Sequence, residues 1–464
     1  MYKFYLANVV KAHQYEELIK IFLKPDEFMI YLDEKDENCS NTECIKESDT
    51  VVDVSFSLEN HDREDLKRQI FKYLVVLTGK YPKWGAITGI RPLKMYQTIL
   101  EDMGSREKAN KRFAEKYLTT SEKINILDKI SQVQDNFLPL LDDKSIGIYI
   151  GIPFCPTRCH YCSFITQLGG TPDMEAYVEA LIKEIIFVAG AIKDKSLNIE
   201  SLYIGGGTPT TLSEDLLGKL LSAVNKYFDL SECKEFTVEA GRADTINENK
   251  LKILKENNVD RISINPQTMK DETLNLIGRR HSVQEFVDAY QLARKVGFAN
   301  INADVIAGLP NENKEDFIVS LKKILKLDPT SITIHTLAIK KSAIFKETND
   351  LVQYDQIELI DGMLDEAYKL LDEYKFNPYY IYRQKNMSYT GENVGFAKQG
   401  YENIYNARIM GEKQSILALG AGGISKRYYP DKDLVVRVPN VSNYEVYIDR
   451  IDEMIERKIN KFFV

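Results

Sequence analysis

From Ser145 onward, short β-rich runs alternate with longer amphipathic ones, and this rhythm limits the fold more than any other feature. The runs "IGIYIGI", "SLYIGGG", "EFTVEAG", "RISINP", "NINADVIAGLP" and "SITIHTLAI" read as strands. The intervening stretches "MEAYVEALIKEIIFVAGAI", "SEDLLGKLLSAVNKYF", "VQEFVDAYQLARKVG" and "KEDFIVSLKKILKL" repeat apolar residues at helical spacing. Strands separated by such helices pair in parallel, because only a crossover of that length returns the chain to the same end of a sheet. The six strand candidates fall short of the eight in a closed barrel. The expected fold is therefore α/β, built on a partial (β/α)6 barrel.

The chemically unusual residues collect at the C-terminal ends of these strands. A cysteine loop follows the first, "GGGTP" the second, and Glu239 closes the third. Gln267 follows the fourth, Asp304 sits in the fifth, and His335 to Ala338 end the sixth. In a βα barrel that face carries the active site.

Before this core, "YKFYLANVV", "EFMIYL" and "TVVDVSFSL" alternate like strands, and "DREDLKRQIFKYLVVLTG" has helical spacing with an acidic first turn. After it come "NPYYIYRQKN", "ENVGFAKQG" and "SILALGAGGISKRYY", the last reading as a buried strand that enters a glycine turn. The expected division is a small α+β N-terminal domain with a helical linker over 1–140, the core over 145–345 and an α+β substrate-covering extension over 346–464.

The net charge of -8 argues against nucleic acid as a partner, since neutralising phosphates needs a basic face. The longest apolar run, "IIFVAGAI", is hemmed by Lys183, Glu184 and Lys193 and is too short to span a bilayer. The opening "MYKFYLANVVKAH" lacks the features of a secretory signal. A cytoplasmic protein without a membrane partner is expected, and in that compartment clustered thiols bind metal more often than they form disulfides.

Of six cysteines, Cys155, Cys159 and Cys162 stand within "GIPFCPTRCHYCSFIT". Structural zinc takes four ligands, commonly in two paired groups, and no second C-x-x-C completes this one. His160 between two cysteines is poorly placed to serve as the fourth. Three thiolates on a 4Fe–4S cluster instead leave one iron open. Cys39, Cys44 and Cys233 read as unliganded thiols.

The motifs "YIGIPFCPTRCHYC", "GGGTPT", "RISINPQTM", "NADVIAGLP" and, more weakly, "ILALGAGGIS" resemble those of radical S-adenosylmethionine (SAM) enzymes. More narrowly, they resemble the oxygen-independent coproporphyrinogen III dehydrogenase family. "WGAITGIRP", "INPQTM" and "YRQKN" point to its HemZ-type branch. The resemblance implies a 4Fe–4S cluster on Cys155, Cys159 and Cys162, with SAM chelating the fourth iron. It implies that Gly206, Gly207 and Thr208 hold the methionine amino group, and that Tyr149 and Tyr161 flank the cofactor. Glu239, Gln267, Arg279 and Asp304 would supply its polar contacts, and Ala338 and Ile424 small apolar walls near the adenosyl group. The implied reaction is oxidative decarboxylation of coproporphyrinogen III propionates to vinyls in haem synthesis. A low-potential donor such as flavodoxin or ferredoxin would supply electrons. Arg383, Lys385, Arg408, Lys426 and Arg427 are candidate partners for the carboxylates of a tetrapyrrole.

The family also contains haem chaperones and enzymes that act on other tetrapyrroles. The chaperones' haem signature, H-N-x-x-Y-W, aligns with "YNARIM", where Tyr405 stands in place of the histidine. Two further positions differ from the dehydrogenase pattern: Gly151 replaces a histidine, and Phe164 a cysteine.

Overall fold

The computed structural model describes residues 1–9, 11–32, 43–47, 52–57, 62–162, 167, 171–338, 356–383 and 391–464. Cys39, Phe164, Lys385 and the expected boundary at 345/346 lie outside the described residues. The chain divides into two compact units, one formed mainly by 1–132 and the other mainly by 133–352, 358–380 and 394–464.

The first unit holds a four-stranded sheet in the order β2-β1-β4-β3. Its strands are β1 (Tyr2–Ala7), β2 (Phe28–Leu32), β3 (Glu43–Glu47) and β4 (Val52–Ser57). Phe4, Leu6, Val54 and Phe56 bury one face of the sheet against Leu66, Ile70, Phe71 and Leu74. Those four lie on the helix Arg63–Thr78, which Asp62 and Asp65 start with a reciprocal capping box. A helix at His13–Ile19 was not legible in the sequence.

In the second unit the expected alternation forms a parallel sheet. It comprises β5 (Ser145–Ile152), β6 (Asn198–Gly206), β7 (Glu235–Glu239), β8 (Arg261–Ser263), β9 (Asn300–Ala307) and β10 (Ser331–Thr336), each parallel to the next. Several helices start where a polar side chain ends the preceding loop. Ser213, Asn247, Ser282 and Asn313 each accept a backbone N–H of the first turn.

Five more strands complete the order β11-β12-β10-β9-β8-β7-β6-β5-β13-β14-β15. They are β11 (Asn377–Arg383), β12 (Glu392–Ala397), β13 (Ser415–Leu419), β14 (Ile424–Tyr429) and β15 (Leu434–Pro439). β12 runs antiparallel to β10, whereas β13 joins β5 in parallel, so the C-terminal segment adds a seventh parallel strand to the barrel wall. Two glycines with positive φ, Gly420 (+87°) and Gly422 (+73°), then turn the chain into the β14–β15 hairpin. Among the described residues no helix is long and apolar enough to cross a membrane.

The register places identical triplets side by side: Tyr149-Ile150-Gly151 on β5 lies against Tyr203-Ile204-Gly205 on β6. Because a strand alternates its faces, the isoleucines pack outward under the helices while both tyrosines face the barrel interior. Their rings stack at 6.3 Å, and Tyr405 stacks on Tyr203 at 4.7 Å. Tyr405 belongs to the helix Ile404–Gly411, whose entry is tied to the barrel. Asn403 Nδ2 donates to Thr237 Oγ1 at 3.1 Å, and the Ile404 N–H donates to buried Glu235. A carboxylate at a helix N-terminus complements the helix dipole.

Candidate active site at the strand ends

The cysteine loop leaves β5 and lies directly on the glycine run that ends β6. Gly207 N–H donates to the Ile152 carbonyl at 2.7 Å, and Thr208 N–H to that of Phe154 at 2.8 Å. Thr208 Oγ1 is 3.4 Å from Cys155 Sγ. A Cβ on Gly207 would stand 2.5 Å from the Phe154 carbonyl oxygen and 3.1 Å from Cys155 Sγ, so only glycine fits there. Gly206 has φ +114°, which glycine alone adopts readily. Sequence reasoning passed over Gly205, where a Cβ would meet the Glu239 carboxyl carbon at 2.9 Å. The absent side chain is what lets Glu239 lie against β6.

None of the three thiols is held in a disulfide, and they lie close enough to interact electrostatically. Burial pushes the Cys155 thiol up to about 11, and the neighbouring Cys159 and Cys162 add to this while the Thr208 hydroxyl opposes it. Three thiolates crowded together repel, and bound iron relieves that repulsion while displacing protons. This donor set fits a cluster. Among the described residues no three His, Cys, Asp or Glu side chains close on a single ion. A cubane spreads its thiolates over different irons, so its ligands stand wider apart than those of one ion. His160 turns away: its Nδ1 meets the Leu276 carbonyl at 2.9 Å, and its backbone N–H donates to Ile277.

Opposite the loop, the remaining expected residues form a connected polar rim. Gln267 adopts φ +67° and bridges β9, donating from its N–H to the Asp304 carbonyl and accepting from Ile306 N–H, each at 3.0 Å. Its side-chain Oε1 is buried without a hydrogen-bond partner. A glutamine held in a left-handed conformation with an orphaned acceptor is costly unless a ligand completes it. Arg279 donates to the carbonyls of Gly241 and Asn265 and to the Tyr161 hydroxyl, leaving its Nε likewise without a partner. Both orphaned atoms suit a polar cofactor such as SAM. Ala338 follows β10 half-buried, and Ile424 opens β14 with 47 % exposure. Among the described residues no hydrogen bond or ion pair joins these two side chains to the others.

Two acids occupy the barrel interior at the rim. Burial and the nearby Asp304 charge push the Glu239 carboxyl up to about 7, although it accepts a 2.6 Å hydrogen bond from the Tyr203 hydroxyl. Burial acts most strongly on Asp304 too, but there His335, 3.4 Å away, together with hydrogen bonds from Asn302 and Thr333, outweighs it and holds the carboxyl below its usual range. A folded-state value raised above the unfolded one means that Glu239 contributes stability fully present below the ordinary value of 4.5. That contribution is lost as pH rises through about 7. In the cofactor-free protein, Glu239→Gln is therefore expected to flatten the fall in denaturant midpoint between about pH 5 and about pH 8, measured against wild type. An unchanged pH profile would contradict a protonated Glu239.

Several neighbours escaped the sequence reading. Tyr203 was detectable through the repeated "YIG" triplet. Arg242 and Asp244 carried no signal, because "GRADT" resembles an ordinary charged turn. Of the cations proposed for substrate carboxylates, Arg408 is committed to Glu200 through two 2.9 Å hydrogen bonds, and Lys426 pairs with Glu412. Arg383 donates to the Ile87 carbonyl at 2.6 Å and lies over the Trp84 ring. These three are structural.

The sequence pattern of the Radical SAM superfamily matches residues 149–324, which span β5 into the helix Lys314–Leu325. The oxygen-independent coproporphyrinogen-III oxidase-like protein HemZ of Bacillus subtilis (strain 168) is 36 % identical over 424 residues, covering 89 % of this chain and 85 % of its own. The heme chaperone HemW of the same organism is 32 % identical over 307 residues, covering 66 % of this chain and 76 % of its own. In structure, the coproporphyrinogen III oxidase HemN of Escherichia coli superposes with a TM-score of 0.55 at 22 % identity, over 67 % of this chain and 70 % of that one, and so shares the fold. The chain thus belongs to the radical SAM superfamily, whose cofactors are a 4Fe–4S cluster and SAM, and within it to the family of HemZ.

Proposed function

We propose that this protein is a radical SAM enzyme that oxidatively decarboxylates propionate side chains of coproporphyrinogen III to vinyl groups. The packing of the three-thiol loop onto Gly207 and Thr208 supports the reading, because it brings the proposed cluster ligands against the glycine run that ends β6. Cys155, Cys159 and Cys162 would hold the cluster. Gly206, Gly207 and Thr208 would present backbone groups to the methionyl end of SAM, and Glu239, Gln267, Arg279 and Asp304 would bind its polar groups. When bound, the cofactor pair supplies hydrogen-atom abstraction, driven by one-electron cleavage of the sulfonium. The stacked Tyr149, Tyr203 and Tyr405 rings occupy the barrel interior and would help keep water from the reaction. Each propionate converted would lose one hydrogen atom to the adenosyl carbon of SAM, carbon dioxide and one electron. A low-potential one-electron protein is the proposed donor for SAM cleavage, and a separate one-electron acceptor takes the electron released. The reading predicts that reduced, cluster-loaded protein forms 5′-deoxyadenosine from SAM in a coproporphyrinogen-dependent way. Formation that ignores the porphyrinogen would point to another tetrapyrrole.

Similarity to the heme chaperone keeps haem binding as a second reading. The position aligned with the chaperone histidine is Tyr405, 7 % exposed and stacked against the strand-borne Tyr149 and Tyr203 inside the barrel. An axial ligand must reach the haem iron, and a ring held in this stack does not present its oxygen to a ligand at the surface. A spectral titration with haem is expected to be flat, and a stoichiometric Soret shift would favour the chaperone.

A further inference from the structure

The most heavily tied group beside the cysteine loop is one the proposed function does not use. Arg242 follows β7 and is only 2 % exposed. Its Nη1 donates to the Thr157 carbonyl at 3.1 Å and reaches Cys159 Sγ at 3.7 Å. Asp244 clamps the other side of the guanidinium, accepting from Nε at 2.9 Å and from Nη2 at 2.7 Å. The Arg242 carbonyl in turn accepts from the Thr245 hydroxyl, which fixes the turn that carries both residues. A guanidinium held by two parallel hydrogen bonds keeps its orientation, and the one remaining edge points at the loop.

We infer that Arg242 is a positioning residue that sets the reduction potential of the cluster through its hydrogen bond to the Cys159 sulfur. The inference rests on the proposed assignment of the cluster to Cys155, Cys159 and Cys162. Reduction by a one-electron donor adds negative charge to a cluster already surrounded by thiolates. A fixed cation hydrogen-bonded to one of those sulfurs stabilises the reduced form more than the oxidised one. Its burial strengthens the effect, because little water screens it. Asp244 offsets part of the charge and, by orienting the donor, makes the N–H···S contact permanent. Cys159 Sγ takes this cationic donor, whereas Cys155 Sγ meets the neutral Thr208 hydroxyl.

The test uses full-length protein reconstituted anaerobically with iron and sulfide. Iron content and the reduced-cluster signal in electron paramagnetic resonance are followed through a dithionite redox titration. Arg242→Gln is expected to retain its cluster with a more negative midpoint. The reduced-to-oxidised ratio at fixed potential should fall about tenfold, equivalent to about 59 mV for a one-electron couple. Arg242→Lys, which keeps the charge but not the clamp, should fall between the two. If Arg242→Gln does not fold, Asp244→Asn decides, since it leaves the guanidinium in place but loosens it and should shift and broaden the titration. Equal midpoints across the folded variants would overturn the role of Arg242. Wild-type protein that takes up no cluster, or that keeps one after Cys159 is replaced, would instead overturn the ligand assignment beneath it.

Discussion

Cys159→Ser is expected to strip the protein of its cluster, losing iron, sulfide and the associated visible absorption, and to reduce SAM cleavage to background. Cys159 is the most buried of the three thiols at 8 % exposure, and it lies at the centre of the loop's contacts. Its carbonyl accepts the Cys162 N–H at 3.1 Å, and its sulfur meets Arg242. A serine oxygen is a hard donor with a far higher pKa than a thiol and does not replace thiolate on iron–sulfur clusters. The barrel core does not depend on this side chain, so far-ultraviolet circular dichroism should match wild type. Iron bound to wild-type stoichiometry in the serine variant would contradict the assignment. Cys233→Ser, which alters a thiol outside the loop, should leave iron content unchanged.

Lys458→Met should produce the largest loss of stability. Lys458 and Glu184 are both fully buried and paired at 2.6 Å. Glu184 also accepts from the Tyr447 hydroxyl at 2.7 Å, the Gly420 N–H at 2.9 Å and Asn440 Nδ2 at 3.0 Å. Removing the lysine leaves an uncompensated carboxylate in the interior, at a cost of about 3–5 kcal/mol. The consequence reaches the site. The Tyr177 hydroxyl accepts from Ala421 N–H at 2.9 Å and donates to the Gly151 carbonyl at 2.6 Å, just ahead of the cysteine loop. Loosening the 420–423 turn therefore loosens Gly151. Thermal unfolding should show the transition of the second unit lowered. Removing both charges in Glu184→Gln/Lys458→Met should restore part of the loss, because the neutral amide oxygen can still accept from Tyr447 and Gly420 and no buried charge is left unpaired. A single variant as stable as wild type would show that the pair is not integral to the fold.

The barrel was legible because each strand pattern agreed with the helical pattern after it, and several of those helices begin at a polar cap. The glycine run and the cysteines were legible because few backbones need such residues at such spacing. The register was not read, although the "YIG" repeat on β5 and β6 contains it, and with it the tyrosine stack. The seventh parallel strand and the buried Glu184–Lys458 pair were invisible for a different reason. They join residues 236 or more positions apart, and nothing local marks a strand as parallel or a charge as buried. Arg408 shows the converse error: a basic residue in the C-terminal segment reads as a ligand partner until the structure reveals its ion pair with Glu200. Ile424 was chosen by motif position alone, and its half-exposed side chain carries no sign of a wall.

Product mass decides whether this strand-end assembly acts, as proposed, on coproporphyrinogen III. Reconstituted protein should be incubated anaerobically with reductant, SAM and coproporphyrinogen III, and the tetrapyrroles weighed by mass spectrometry. The account predicts stepwise loss of formic-acid equivalents, one for each propionate converted to a vinyl, matched by 5′-deoxyadenosine. SAM cleavage with the porphyrinogen mass unchanged would contradict it.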